Sequence, residues 1–288
     1  METEPVKQLD SYELTARPMA MEDIPALHAL SIGVRWPHRP EDWAMLIRLG
    51  HGVVAEDAIG RVVGSAMWWP MGPDLARIGM VITTPRLQEQ GAARWLMAQI
   101  VGPIGGRDKV LTATREALRL YLSLGFRSGA TVFQHQGIVV EAPAVVPGAR
   151  PMTAADEAAV RALDAAALTA DRRAVLDELL TVSEGTVVGR DGKVVGFALC
   201  RRFGRGHVVG PVVAASEEDA LALVAPHVAA HAGRFLRLDR REAEGAFRAY
   251  LEACGLRIFD TGTLMSLGRD RIPEGPARIY GLASHSLG

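Results

Sequence analysis

Residues 83–97 combine glutamine, glycine and alanine in a pattern that suits phosphate binding at the start of a helix. An apolar run ends at Pro85 and helical spacing of apolar residues begins at Ala93, which predicts a strand, a short loop and a helix. The first N–H groups of a helix lack main-chain partners and lie at the positive end of its dipole, where a diphosphate binds well. Small residues at Gly91 and Ala92 would let the phosphates approach the main chain. The same residues also fit an ordinary glycine turn before a helix.

A second stretch has the pattern of a strand, a helix and a sharp turn. A strand is predicted over 108–113 and a helix over 114–124, in which Tyr121 lies on the apolar face. Gly125 is a natural residue to end this helix, and Phe126 begins another strand. By periodicity alone, Tyr121 is a core residue of this helix.

Together, the two stretches resemble the GNAT superfamily of N-acetyltransferases. Residues 88–93 are similar to the acetyl-CoA loop of that family, Arg/Gln-x-x-Gly-x-Gly/Ala, with Ala93 at the last position. Residues 121–126 are similar to its Tyr-x-x-x-Gly-Phe motif. The resemblance covers roughly residues 14–140 and departs at Thr114, where many members carry Asn.

The resemblance implies acetyl-CoA as the acetyl donor, with no metal, and it assigns residues to its binding. The residues expected to bind acetyl-CoA are Val81, Ile82, Thr83, Gln88, Glu89, Gln90, Gly91, Ala92, Ala93 and Thr114. A main-chain N–H of the strand that ends at Thr83 would stabilise the developing oxyanion. Tyr121 would protonate the departing thiolate or donate a hydrogen bond to it.

The resemblance also suggests where the acceptor binds, between the first two predicted helices. Trp36 and His38 lie in this segment and are candidates to line the pocket of a small-molecule amine. A proline-rich turn with a packed indole explains the same residues equally simply. The resulting hypothesis is direct attack of the amine on the thioester. The alternative is a non-catalytic protein that binds or senses acyl-CoA through the same loop.

Three sequence patterns occur twice, in the same order. The segments 16–19 and 149–152 are identical, 60–66 is similar to 192–198, and 124–126 is similar to 254–256. The separation of the copies stays between 130 and 133 residues, which indicates an internal duplication.

The duplication and the resemblance to the GNAT superfamily together imply an α/β fold of the α+β type with a mixed sheet. Two GNAT-like domains in tandem are expected, each a twisted, mostly antiparallel sheet flanked by helices. The predicted limits are a flexible tail over 1–10, an N-terminal domain over 11–142, a linker over 143–149 and a C-terminal domain over 150–288.

The C-terminal domain is predicted to lack the cofactor. Ser216 and Asp219 have the spacing of a capping box, which would satisfy the N–H groups at the helix start. The carboxylates of residues 217–219 would also repel a diphosphate. Leu251 takes the place of Tyr121, and Tyr250 is rotated by about 100° around its helix.

Composition narrows the class of protein further. The net charge of −1 provides no field that would attract nucleic acid or an anionic membrane, and no apolar run approaches a bilayer span. With two cysteines and no visible export signal, a cytoplasmic protein is expected, either a monomer or a homodimer. His227 and His231 have the spacing of metal ligands, but no Glu or Cys accompanies them, so a surface helix without metal is predicted.

Overall fold

Strands and helices alternate through the computed structural model, which describes residues 4–9, 12–88, 90–140, 147–273 and 275–288. The chain divides into two units, residues 1–110 and residues 111–288. Each unit consists of a sheet with helices packed on it, because its strands and helices each have one apolar face to bury. The predicted fold class, α/β with a mixed sheet flanked by helices, is confirmed.

The first unit has five antiparallel strands that lie side by side in chain order. They are β1 (Val6–Leu9), β2 (Tyr12–Pro18), β3 (His51–Asp57), β4 (Val62–Met71) and β5 (Leu75–Thr83). The helices of this unit are α1 (Ile24–Gly33), α2 (Pro40–Leu49) and α3 (Ala92–Ile104). Helix α3 buries Leu96, Met97 and Ile100, as its apolar spacing predicts. Strand β6 (Asp108–Ala113) runs across the division between the units.

The predicted flexible tail contains strand β1, so the prediction is wrong for residues 6–9. Strand β1 pairs with β2, and the carbonyl of Glu4 accepts hydrogen bonds from Trp95 Nε1 at 3.1 Å and Gln99 Nε2 at 2.8 Å. These partners lie some 90 residues along the chain, and so local composition could not reveal them.

The second unit contains the remaining elements. They are α4 (Leu118–Ser123), β7 (Arg127–Ile138), β8 (Ala149–Pro151), α5 (Glu157–Leu168), α6 (Arg173–Val182), β9 (Ser183–Arg190), β10 (Lys193–Phe203), β11 (Gly206–Ala214), α7 (Glu217–Ala230), β12 (Phe235–Arg240), α8 (Ala246–Ala253), β13 (Arg257–Leu267) and β14 (Arg278–Gly281). The strand order is β13-β7-β12-β11-β10-β9-β8, with β14 beside β11. Strands β11 and β12 are parallel and the other pairs are antiparallel.

Strand β7 belongs by sequence to the predicted first domain but lies in the second unit. It pairs with β12 on one side and with β13 on the other. The domain limits derived from the duplicated sequence therefore differ from the division into compact units. They remain a prediction, and most of the predicted linker, residues 143–146, lies outside the described residues.

The two units repeat one ion pair and one main-chain hydrogen bond, which supports the duplication. Arg17 binds Asp23 and Arg150 binds Asp156, both with N–O distances of 2.6 Å. Asp23 directly precedes α1, and Asp156 directly precedes α5. A 2.9 Å hydrogen bond from Met19 N to Gly52 O is likewise repeated from residue 152 to residue 185.

Within the described residues, no helix is long and apolar enough to cross a bilayer. The same part of the chain contains no group of three or more His, Cys, Asp or Glu side chains that could hold a metal ion.

Candidate functional site

Strand β5 is irregular three residues before its end. Ser65 pairs with Ile82 and Met67 pairs with Gly79, so that Met80 and Val81 lie opposite a single residue of β4. Met80 has a φ of 51°, in the left-handed region, and its carbonyl accepts a 2.8 Å hydrogen bond from the buried Ser65 Oγ. A bulge of this kind leaves main-chain groups of one residue outside the ladder. The predicted oxyanion-binding stretch, residues 81–83, begins with the second residue of the bulge.

The loop after β5 leads into α3 through Gly91. A single 3₁₀ turn, Pro85–Leu87, comes first, and Gln90 Nε2 then donates a 2.9 Å hydrogen bond to the carbonyl of Arg86. Gly91 is the N-cap residue, with a φ of 78° that favours glycine, and as a glycine it contributes no capping side chain. The first turn of α3 thus offers its N–H groups to a ligand.

Among the described residues beyond its chain neighbours, a Cβ atom on Gly91 would meet only the side chain of Lys7 within 4 Å, with Cε and Nζ both 3.9 Å away. The space in front of the helix start is therefore open and has one ammonium group at its side. Lys7 lies on β1, in the segment predicted as a tail, and was missed at the level of sequence. Its only signal is that lysine is rare in this chain, which otherwise uses arginine.

The predicted loop residues therefore fall into three groups. Val81, Ile82 and Thr83 end β5, and Gln88 and Gln90 are exposed on the loop. Ala92 is buried in the first turn of α3 and Ala93 is half-buried beside it. Glu89 lies outside the described residues.

Tyr121 is buried in α4, with 5% of its surface exposed. Its ring meets that of Phe126 edge-on, with the centroids 5.8 Å apart. The main-chain turn joins the same two residues, since Phe126 N donates a 3.0 Å hydrogen bond to Tyr121 O around Gly125, which has a φ of 86°. Burial raises the pKa of the Tyr121 phenol above its usual value of 10.0. The phenol is therefore protonated at neutral pH and available as a donor.

Thr114 has a local partner in the turn that precedes α4. Its Oγ1 accepts a 3.4 Å hydrogen bond from the main-chain N–H of Ala117. The helix itself begins at Leu118, later than its apolar spacing predicts. The assignment of Thr114 to the cofactor remains a prediction.

Trp36 and His38 are brought together in the first unit, both half-buried. Their ring centroids are 5.9 Å apart, and the His38 ring lies 6.2 Å from that of the buried Trp43. The carbonyl of His38 is 2.8 Å from Nδ1 of His28. The loop between α1 and α2 thus forms an aromatic cluster with polar edges.

The corresponding helix start in the second unit is capped by a side chain. Ser216 Oγ accepts a 3.1 Å hydrogen bond from Asp219 N, as the predicted capping box requires. The Asp219 carboxylate does not complete that box, because it forms an ion pair with Arg190 at 2.6 Å. Glu217 Oε1 accepts a 2.8 Å hydrogen bond from Phe247 N at the start of α8. All three side chains therefore have partners within the unit.

Two acetyltransferase (GNAT) domain families match this chain, one at residues 48–128 and the other at residues 160–281. The first match contains β5, the Gly91 loop and Tyr121, and the second contains the capped helix start. The chain is a tandem GNAT protein. Members of the superfamily are acyltransferases that generally use acetyl-CoA.

Similar proteins match most of this chain at low identity. The Bacillus subtilis protein named uncharacterized N-acetyltransferase YitH is 23% identical over 262 residues, which are 88% of this chain and 91% of that protein. A putative acetyltransferase from Pyrococcus horikoshii has a TM-score of 0.79 at 18% identity, over 96% of both chains. A tandem GNAT protein from the clavulanic acid biosynthesis pathway has a TM-score of 0.62 at 15% identity, over 90% of this chain and all of that one. These structures support the fold of the tandem GNAT protein.

The prediction of a surface helix around His227 and His231 is wrong. Both side chains are buried, with His227 Nε2 3.2 Å from Thr186 Oγ1 and the His231 ring centroid 4.3 Å from that of His207. Burial lowers the pKa of His227 to about 4, so it is neutral at physiological pH. The spacing of His227 and His231 therefore places both histidines in hydrogen bonds within the core and not on a solvated face.

Proposed function

We propose that the first unit binds acetyl-CoA and that the protein transfers its acetyl group to the amine of a small molecule. The observation that carries the proposal is the start of α3, where Gly91 contributes no capping side chain and leaves open space and Lys7 adds a positive charge. A helix start of this kind binds a diphosphate through its N–H groups and its dipole. The residues present therefore fit the pyrophosphate of the cofactor.

The remaining residues have roles that follow from their chemistry. Bound acetyl-CoA would supply a thioester carbonyl to be attacked directly by the amine. A main-chain N–H after the Met80 bulge, within Val81–Thr83, would donate a hydrogen bond to the oxygen that gains negative charge. The role of Tyr121, which lies on α4 in the second unit, comes from the family motif: its O–H, held protonated by burial, would be donated to the departing thiolate.

The acceptor is proposed to lie against the aromatic cluster of the first unit. Trp36 and His38 present an apolar surface with polar edges, which suits a small amine better than a polyanion. The near-neutral charge of the chain offers no general attraction for nucleic acid or membrane.

A pair of tyrosine variants tests whether the protein catalyses transfer or only binds the cofactor. Release of the CoA thiol is followed with a panel of small amines, and acetyl-CoA affinity is measured in parallel. Tyr121→Phe should lower kcat by roughly 10²–10⁴-fold while leaving the affinity for acetyl-CoA within about twofold. Tyr250→Phe makes the same chemical change at the neighbouring position of the second copy and should leave kcat unchanged.

The alternative, a protein that binds acyl-CoA without catalysis, predicts a different result. Wild type would then bind acetyl-CoA but release no thiol with any amine in the panel. Turnover that is equal in wild type and Tyr121→Phe would remove the tyrosine from the mechanism.

A further inference from the structure

Strand β14 pairs with the end of β11 in the second unit. The register joins Gly281 to Val212, Ile279 to Val213 and Arg278 to Ala214. The edge of β11 at residues 212–214 is thus covered by the chain's own C-terminal segment.

Residues 212–214 are the duplicate of residues 81–83 in the first unit. A Cβ atom on Gly64 would lie 3.1 Å from the carbonyl of Ile82, and one on Gly196 would lie 2.9 Å from the carbonyl of Val213. These glycines are themselves duplicates, and so Ile82 and Val213 occupy equivalent places. The stretch assigned to acyl-CoA in the first unit therefore has a counterpart in the second unit that already holds a peptide.

The segment that follows β14 is held by main-chain contacts to the same sheet. Leu282 N donates a 2.8 Å hydrogen bond to Asp239 O on β12, and Arg201 Nη2 on β10 donates one of the same length to Ala283 O. The main chain of Leu282 approaches Gly210 on β11 so closely that a Cβ atom on Gly210 would lie 1.9 Å from Leu282 O. Three neighbouring strands thus contact these residues.

The far end of the segment is bound by a buried arginine. Arg172 donates hydrogen bonds to the main-chain oxygens of Leu287, at 2.9 Å, and Gly288. Asp164 holds the same guanidinium at 2.6 Å, and neither side chain of this pair is exposed by more than 2%. Leu282, Ala283 and Leu287 are themselves fully buried. The segment therefore occupies a built cleft with polar partners at both ends.

We propose that the second unit is a peptide-binding module whose resident ligand is residues 277–288 of its own chain. A strand added to a sheet edge is a general mode of peptide recognition, with affinity from main-chain hydrogen bonds and specificity from buried side chains. The ligand class of this unit is an apolar peptide, extended over residues 278–281 and turned over residues 283–288, and not an acyl-CoA. One step rests on the proposed function, namely that residues 81–83 are the acyl-CoA-binding stretch of the first unit.

The test separates the segment from the folded protein without removing it. A site for a specific protease is inserted after Ile272, which is 80% exposed, and the folded full-length protein is cut there. The C-terminal fragment should remain with the protein through gel filtration, one per chain. A labelled synthetic peptide of residues 277–288 should then exchange into the cleft.

Variants are placed in the peptide, so that the folding of the protein is not at risk. A Cβ atom on Gly281 would lie 2.8 Å from Val212 Cγ2, so a Gly281→Val peptide should bind at least about tenfold more weakly. An Arg278→Ala peptide is the matched control, because the Arg278 side chain is exposed and donates its hydrogen bonds to the nearby carbonyls of Gly275 and Ala277 rather than to the sheet. Loss of the fragment from folded protein, or equal binding of the wild-type and Gly281→Val peptides, would overturn the proposal.

Hydrogen exchange on the uncut protein gives a second measurement if cutting unfolds the chain. The amides of residues 278–282 should be protected to the same degree as those of β11, whereas exchange at the rate of a free peptide would overturn the proposal. Neither readout involves acetyl-CoA. Failure here therefore leaves the first-unit site intact. A protein that does not bind acetyl-CoA removes the comparison with residues 81–83, whereas the peptide cleft is still tested by fragment retention and peptide exchange.

Discussion

Two glycines with the same backbone conformation allow the acetyl-CoA loop to be tested against its own control. Gly91 begins α3 and Gly60 lies in the turn between β3 and β4, and both have a φ of 78°. Among the described residues beyond the chain neighbours, a Cβ atom at Gly60 would meet nothing within 4 Å, and at Gly91 it would meet only Lys7. Replacement by Glu therefore imposes the same backbone strain, about 1–2 kcal/mol, at each position.

Only the variant at the loop should affect the cofactor. At a separation of about 6 Å, two unit charges repel by roughly 0.7–2.8 kcal/mol for effective dielectric constants between about 80 and 20. A diphosphate carries about two such charges, and so Gly91→Glu should weaken acetyl-CoA binding by at least about tenfold. Lys7 would attract the new carboxylate, which limits the loss of stability at this position.

Calorimetric titration with acetyl-CoA measures the affinity, and urea unfolding measures the stability of both variants. Gly60→Glu should bind acetyl-CoA as wild type does, although it should lose at least as much stability as Gly91→Glu. Equal affinities for the two variants would refute the assignment of the pyrophosphate to this helix start.

The remaining predictions concern charge and protonation. Lys7→Ala should weaken acetyl-CoA binding by about 2–5-fold, as expected for one partly exposed charge. The control variant Lys193→Ala should bind acetyl-CoA as wild type does. Equal affinities of the two variants for acetyl-CoA would remove Lys7 from the site. Arg150 lowers the pKa of Asp156 below 3.8, so the stability that Arg150→Ala removes at pH 7 should shrink between about pH 5 and pH 2. A difference in urea-unfolding free energy that stays constant over that range would contradict the ion pair. Because burial raises the pKa of Tyr121 above 10.0, kcat should show no fall due to this residue between pH 7 and pH 10. A fall near pH 8–9 that disappears in Tyr121→Phe would contradict this.

Local sequence was sufficient to predict the structure at positions where a single turn determines the path of the main chain. The helix start at Gly91 and the turn at Gly125 were both predicted, because each depends on a glycine with positive φ next to a periodic apolar helix. The duplication was predicted from repeated sequence segments, and in the structure these segments make the same contacts in both units.

The features that were missed depend on contacts between distant residues. Met80 adopts a left-handed conformation only because the ladder between β4 and β5 contains an extra residue, and methionine is not a typical residue for that region. Lys7 reaches Gly91 because β1 joins the sheet, although its composition resembles a tail. Strand β14 has only four residues, and its place is set by the edge of β11 rather than by its own pattern.

The central claim is that one unit of this tandem GNAT protein binds acetyl-CoA while the other holds a peptide. Calorimetric titration of acetyl-CoA into the unmodified full-length chain tests it most directly. The account predicts one binding site per chain. Two sites would contradict the assignment of the second unit, and no binding to folded protein would contradict the assignment of the first.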